Sequence, residues 1–327
     1  MRPLRLGLAG CGRIATRGYL PAARDLSGVE FVAFADPDAR RARDASDFDP
    51  LEAGSKSEAL DGEGVFETVQ ELVAAGGVEA LVVATPAASH GKAAAVAARA
   101  GIPSLIEKPP APDLEGALDL VRLDPPPRLA FNRRFLQGCE LLPRVPGEGW
   151  LDLDLELCFR RTGWGAHVVR DEALLDAGTH LIDLAAFLTG SAPIAVREAE
   201  LSAERSSLEL ELGRGRARLR CRTDTRFAER VVVRDRAGRT LASSTIDGPR
   251  ARFARLRGSP DPLVLSLRRQ IEAFAALVHG EDPGALAGAE DGVVAMAVVE
   301  AARRSAQLGG AEVTVDRPLA PTPESVA

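Results

Sequence analysis

The opening of the chain, Arg5-Leu6-Gly7-Leu8-Ala9-Gly10-Cys11-Gly12-Arg13-Ile14-Ala15, constrains the fold more than any other stretch. A short apolar run reads as a buried strand, and Gly10-x-Gly12-x-x-Ala15 then opens a helix. That order suits a turn that holds a dinucleotide. Gly10 permits the tight turn, and Gly12 lets backbone approach a pyrophosphate with no Cβ in the way. Ala15 is small enough for close packing of helix on strand, and the helix N-terminus offers N–H groups to phosphate. A second apolar strand, Val29 to Ala35, ends in Asp36, an acid placed to accept hydrogen bonds from an adenosine ribose.

Further along, Glu79 to Ala84 reads as a buried strand ending at Thr85-Pro86, with His90 soon after. Ala93 to Ala100 is an alanine-rich helix stopped by Gly101, and Ser104-Leu105-Ile106 is a strand that runs into Glu107-Lys108-Pro109. The spacing over Phe66 to Val73 predicts another helix. Strand and helix in alternation imply a parallel, doubly wound sheet, with its ligand beyond the carboxyl ends of the strands. Gly10, Asp36, Thr85 and Lys108 all fall at such ends. The proline after Lys108 biases its backbone away from the helical region and so fixes its direction.

Bulk properties narrow the class. With 327 residues, 46% hydrophobic, 27% charged and a formal charge of −6, the chain has room for two soluble domains and lacks a general nucleic-acid surface. Its four cysteines, Cys11, Cys139, Cys158 and Cys221, are far apart. That spacing suits a reduced cytoplasm better than a disulfide framework or a zinc site, and no metal is expected. No apolar run reaches the ~18 residues of a membrane span, and no secretory leader opens the sequence, so a cytoplasmic location is expected.

Gly10-Cys11-Gly12-Arg13-Ile14-Ala15, Ala35-Asp36-Pro37-Asp38, Ala84-Thr85-Pro86 with His90, and Glu107-Lys108-Pro109 together resemble the Gfo/Idh/MocA (glucose–fructose oxidoreductase / inositol dehydrogenase) family. Glu-Lys-Pro after a strand is the most specific of these. The resemblance implies that Lys108 is catalytic, that the peptide before Pro109 is often cis, and that NAD is the cofactor. The expected cofactor contacts are Gly10, Gly12, Arg13, Ile14, Asp36, Thr85, Pro86, His90, Glu107 and Lys108. The carboxylate of Asp36 disfavours a 2′-phosphate, although Arg40 and Arg41 leave NADP open.

After Asp124-Pro125-Pro126-Pro127, the stretch Leu129 to Phe135 resembles the family's link into a substrate domain, with Arg134 as a candidate substrate contact. Leu151 to Leu157 alternates apolar and acidic residues with period two, which predicts a strand wet on one face. Ala195 to Leu201, Ser207 to Leu212, Ala217 to Cys221 and Val231 to Val233 are further strand candidates, and the set implies a largely antiparallel open sheet. Within Leu174 to Leu184, Asp176, His180 and Asp183 are separated by four and three residues, so one helix presents them on one side. A histidine one turn from a carboxylate is oriented for proton transfer near neutral pH.

Asp-x-Gly-x-His-x-x-Asp is also the second signature of the resembled family. It implies that His180 is the acid/base, that Asp176 orients or binds substrate, and that Asp183 is structural. Members carry a glycine run just before it, where this chain has Arg170-Asp171-Glu172, and those bulky residues would line or narrow the pocket. Trp164 and His167, in the preceding loop, are tentative substrate contacts.

The expected fold is thus α/β: a Rossmann dinucleotide-binding domain over 1–122, an α+β substrate domain with an open, mostly antiparallel sheet over 123–317, and a flexible tail over 318–327. Helices are expected over Leu267 to His279 and Gly292 to Gln307, with a last strand over Glu312 to Val315. The expected activity is NAD(P)-dependent hydride transfer at a secondary alcohol or ketone of a sugar, sugar nucleotide or cyclitol, in a homodimer or homotetramer. An NAD-dependent glycosidase working by transient oxidation, and a non-catalytic NAD-binding regulator, remain open on the same scaffold.

Overall fold

The computed structural model describes residues 2–24, 26–48, 64–136, 149–164, 172–247 and 261–316. The chain divides into two compact units: Met1–Pro112 with Leu123–Leu141 and Gly248–Gly288, and Asp113–Arg122 with Leu142–Asp247 and Ala289–Ala327. The sequence boundary between residues 122 and 123 therefore does not coincide with the division into units. The helix α5 (Leu114–Val121) continues the alternation of the first half, yet it packs on α8 (Ala289–Gln307) in the second unit.

The first unit carries β1 (Leu4–Ala9), β2 (Val29–Ala35), β3 (Val65–Phe66), β4 (Ala80–Val83), β5 (Ser104–Ile106) and β6 (Arg128–Leu129) in one sheet of order β3-β2-β1-β4-β5-β6. Every pairing in it is parallel. The central strands are buried almost end to end, as expected when helices cover both faces. Helices α1 (Leu20–Ala23), α2 (Ala39–Ser46), α3 (Val69–Ala75) and α4 (His90–Arg99) follow the strands. The helix expected from Phe66 starts three residues later. Phe66 belongs to β3, and Thr68 with Glu71 forms a capping box that sets the start.

A later helix, α7 (Pro262–Val278), completes this unit. Its Leu267, Ile271 and Phe274 join Leu4, Leu6, Leu8, Tyr19, Val82 and Leu105 in one apolar cluster. It comes so close to the start of the chain that a Cβ on Gly18 would lie 2.6 Å from Leu267 Cδ1.

The second unit is built on β7 (Leu151–Arg160), β8 (Pro193–Leu201), β9 (Arg205–Leu212), β10 (Gly215–Arg222), β11 (Asp224–Asp235), β12 (Thr240–Asp247) and β13 (Val313–Thr314), in the order β12-β11-β7-β10-β9-β8-β13. All pairings are antiparallel except β7 with β10. On β7, Leu151, Leu153, Leu155 and Leu157 are buried, whereas Asp152, Asp154 and Glu156 lie on the other face. That outer face is tiled with ion pairs, among them Arg216 with Asp152 at 2.7 Å, Arg220 with Asp154 at 2.7 Å and Arg218 with Glu209 at 3.0 Å. Such half-exposed pairs contribute at most about 1 kcal/mol each, whereas burying one leucine side chain contributes about 2 kcal/mol. The inner face therefore holds the sheet in place, covered by α6 (Thr179–Thr189) and α8.

Candidate functional site

In the first unit, register does most of the positioning. Ala9 pairs with Ala35 and with Val83, and Val83 pairs with Ile106. Four adjacent parallel strands thus end in one row, and Gly10, Asp36, Thr85 and Lys108 leave that row within two residues of it. Crossed ladder bonds lock the row: Gly10 N–H donates to Ala35 O at 2.8 Å, Ala84 N–H to Ala9 O at 2.7 Å, and Glu107 N–H to Val83 O at 2.8 Å.

The turn after β1 fits a dinucleotide on its geometry. Gly10 has φ +88°, and a Cβ there would lie 2.6 Å from the Ala84 carbonyl carbon, so only glycine serves. A Cβ on Gly12 would meet nothing within 4 Å. That open side is the space a side chain would take from a pyrophosphate. Asp36 is buried, and its carboxylate is fixed by two backbone donors, Cys11 N–H to Oδ2 and Asp38 N–H to Oδ1, each at 2.9 Å. Thr85 Oγ1 is buried with no hydrogen-bond partner among the described residues, an orphan that a ligand group would satisfy. Arg13 is exposed and Ile14 half-buried beside this turn, with Pro86 exposed on the next.

His90 has a different environment from the one a cofactor contact needs. Its ring is 1% exposed, with Nε2 2.7 Å from Thr85 O and Nδ1 3.0 Å from Pro109 O and 3.3 Å from Pro110 O. Both nitrogens are engaged with backbone, so the imidazole ties the turn after β4 to the turn after β5. Burial pulls its pKa below the ordinary value, against the three carbonyls that favour the charged ring.

Lys108 is half-buried, and the Lys108–Pro109 peptide is cis, as the resemblance implies. Beside it, Glu107 is buried, accepting the Tyr19 hydroxyl on Oε1 at 2.8 Å and the Lys108 N–H on Oε2 at 3.1 Å. Burial pushes the Glu107 pKa up, while Lys108, Tyr19 and the Arg133 guanidinium pull it back down. Arg134, the candidate from sequence, donates to Ala285 O at 3.4 Å, and it is its neighbour Arg133 whose charge reaches Glu107.

In the second unit, the signature begins in a π-helical turn, Leu174–Gly178, that runs directly into α6. Such widened turns recur at functional sites. Asp176 lies in the π turn, while His180 (6% exposed) and Asp183 (3% exposed) lie in α6. The turn packs on β10, where a Cβ at Gly178 would lie 3.3 Å from Cys221 Sγ and 2.5 Å from Leu174 Cδ1. Asp176 is bound by Arg161, whose Nε donates to Oδ2 at 3.0 Å; both side chains are about one-fifth exposed. Nothing local in the sequence marks this pairing, because fifteen residues of chain separate the partners.

Glu172, expected to crowd the pocket, is instead paired with Arg303 at 2.6 Å. Arg170, Asp171, His167 and Cys139 lie outside the described residues, and Trp164 ends a 3-10 turn, Arg161–Trp164. Burial pushes the Cys11 thiol up to about 12 and the Cys158 thiol up to about 11, and raises that of Cys221. All three are neutral thiols rather than nucleophiles. Among the described residues no cluster of three or more metal-ligating side chains occurs, and no helix is long and apolar enough to cross a membrane.

Comparison with known proteins agrees with this geometry. Residues 4–124 match the model of an oxidoreductase family described as having an NAD-binding Rossmann fold, Gfo/Idh/MocA. The chain is 28% identical over 202 residues to an inositol 2-dehydrogenase of Corynebacterium glutamicum, covering 60% of this chain and 57% of that protein. It is 31% identical over 215 residues to the rhizopine catabolism protein MocA of Rhizobium meliloti, covering 61% of each. The chain thus spans about three-fifths of the length of these relatives. Its fold matches that of myo-inositol 2-dehydrogenase from Lactobacillus plantarum (TM-score 0.77, 16% identity, 96% of this chain and 100% of the other). It also matches a Lactobacillus casei myo-inositol dehydrogenase in complex with NAD(H) and myo-inositol (TM-score 0.74, 18% identity, 98% and 99% covered). The strand-end row, the glycine turn and the anchored Asp36 all lie in the stretch, residues 4–124, that matches the NAD-binding Rossmann fold of the Gfo/Idh/MocA oxidoreductase family.

Proposed function

We propose that this protein is an NAD-dependent oxidoreductase acting on a secondary alcohol or ketone of a cyclitol, sugar or sugar nucleotide. The observation that carries the reading is the row of strand ends that presents Gly10, Asp36, Thr85 and Lys108 along one edge of a parallel sheet. NAD, when bound, supplies the hydride acceptor. Gly10 and Gly12 would admit its pyrophosphate and Asp36 would accept from its adenosine ribose; the two amides that fix the Asp36 carboxylate keep in place a charge that disfavours a 2′-phosphate.

On the substrate, His180 takes the hydroxyl proton as the C–H bond gives up its electron pair and the C=O bond forms. Lys108 donates to the reacting oxygen, and Asp176, held by Arg161, accepts from a substrate hydroxyl. Asp183 is buried in α6 and serves the fold. The neutral cysteines and the charge of −6 suit a cytoplasmic enzyme, and we expect a homodimer or homotetramer, which sedimentation checks.

The experiment is a screen for NADH formation, by absorbance, over cyclitols, sugars and sugar nucleotides with NAD and NADP. Reduction of NAD by at least one polyol, with NADP at least tenfold poorer in kcat/KM, is expected. Saturable NAD binding without reduction across the panel would favour a nucleotide-sensing regulator, and glycoside cleavage without net NADH would favour a glycosidase.

A further inference from the structure

Beneath Lys108 lies a buried cluster that the reaction above does not use. Tyr19 is fully buried at the end of a π-helical turn, Ala15–Tyr19, and its hydroxyl donates to Glu107 Oε1 at 2.8 Å. That turn is packed from outside by α7, whose Leu267 shares an apolar cluster with Tyr19. Tyr19 is 0% exposed, so the buried ring has little freedom to leave the acid. Glu107 turns its other oxygen back to the N–H of the next residue, Lys108, at 3.1 Å. The charged groups that act on this carboxylate are Lys108 and Arg133, and the phenol of Tyr19 completes its surroundings.

We propose that Glu107, clamped by Tyr19, is the positioning residue and counter-charge of Lys108. The bond from Oε2 to the Lys108 N–H fixes the direction in which the lysine leaves β5. The carboxylate's charge offsets two cations, Lys108 and Arg133, and would offset a third in the oxidised ring of a bound NAD. Without that anion, like-charge repulsion would displace the Lys108 ammonium from its set direction and would oppose binding of the positively charged form of the cofactor. Tyr19 enters because a buried carboxylate with one donor fewer takes up a proton more readily. The Glu107 pKa is already raised by burial, and losing the phenol moves it in the same direction. The inference rests on the role given to Lys108 above.

Two sequence facts make the test clean and separable from turnover. The chain has three lysines, Lys56, Lys92 and Lys108, and one tyrosine, Tyr19. Acylation of full-length protein with acetic anhydride at pH 8, read peptide by peptide by mass spectrometry, reports how reachable the Lys108 amine is against exposed Lys92. In Glu107→Gln, Lys108 labelling relative to Lys92 is expected to rise at least fivefold, and in Tyr19→Phe about twofold. The ultraviolet titration of the single tyrosine, raised by burial and by Glu107, is expected to move down in Glu107→Gln.

With a turned-over polyol, Tyr19→Phe is expected to lower kcat about tenfold. Its acid limb should move to higher pH, with the polyol KM changed less than twofold. Circular dichroism melts identify unfolded variants, and Tyr19→Phe, which loses one oxygen, is the arm that stands if Glu107→Gln does not fold. Unchanged Lys108 labelling in folded Tyr19→Phe and Glu107→Gln overturns the inference, even if the protein oxidises polyols. A labelling change in a protein that oxidises nothing upholds the coupling and leaves the assigned activity as the part that fails.

Discussion

The two units place their candidate site residues by different means. In the first, backbone does the work: four parallel strands end in register, and the ladder places the residues just past each end before any side chain is chosen. In the second, side chains do it: Asp176 and His180 sit on a π turn and a helix, and Asp176 is oriented by Arg161 from the end of another strand. A site made of strand ends is tolerant of side-chain change and intolerant of backbone change. A site made of paired side chains is the reverse. The contrast yields an ordered set of expected effects.

The largest belongs to the reacting groups themselves. Lys108→Met and His180→Asn should each lower kcat by about a thousandfold, roughly 4 kcal/mol of barrier, and His180→Asn should leave NAD affinity within about threefold. Steady-state kinetics and fluorescence titration check both numbers.

Next come the glycines, where the comparison is most direct. Gly10→Ala meets the Ala84 backbone from a positive φ, so nothing can yield; a loss of about 3 kcal/mol and of NAD binding is expected. Gly178→Ala meets the end of the Leu174 side chain, which can turn, so about 1 kcal/mol is expected. Equal losses in urea titrations would erase the distinction between the two kinds of site.

Arg161→Gln removes the cation that orients Asp176 and should raise the polyol KM about tenfold, or about 1.4 kcal/mol, with a smaller change in kcat. An unchanged KM would show that Asp176 needs no such partner.

The smallest effect is in pH dependence. The folded pKa of His90 is below its ordinary 6.5, so the unfolded chain binds the proton first as pH falls. Its contribution to stability is complete above that value and is lost on acidification towards the folded pKa. Glu107, with a raised folded pKa, has the opposite sign: above its ordinary 4.5 the fold takes up the proton first, which offsets part of the loss. Melts of His90→Asn between pH 7.5 and 5.5 should therefore fall less with acid than those of the wild type, by a few degrees. A parallel dependence in the two would remove His90 as the cause.

How much was readable in the sequence obeys the same divide. The strand ends were visible because buried parallel strands are apolar runs, and Gly10, Asp36, Thr85 and Lys108 each close one. The inner face of the second sheet was visible because leucines alternate along β7. Edge strand β12 was not, since no residue of Thr240 to Asp247 is buried and its apolar residues, Leu241, Ala242 and Ile246, fall on both faces. Helix α5 has its partner in α8, some 170 residues on, and no local pattern marks that pairing. Tyr19 with Glu107, 88 residues apart, and Arg161 with Asp176 leave no local pattern. Only folding makes them neighbours.

The function proposed here assigns Lys108 and His180 to the same chemical step. A double-mutant cycle on kcat for NAD reduction tests it most directly. If the residues act as a unit, Lys108→Met with His180→Asn is about as slow as the slower single variant. If the double variant falls by the product of the two single losses, the residues act independently and the account is wrong.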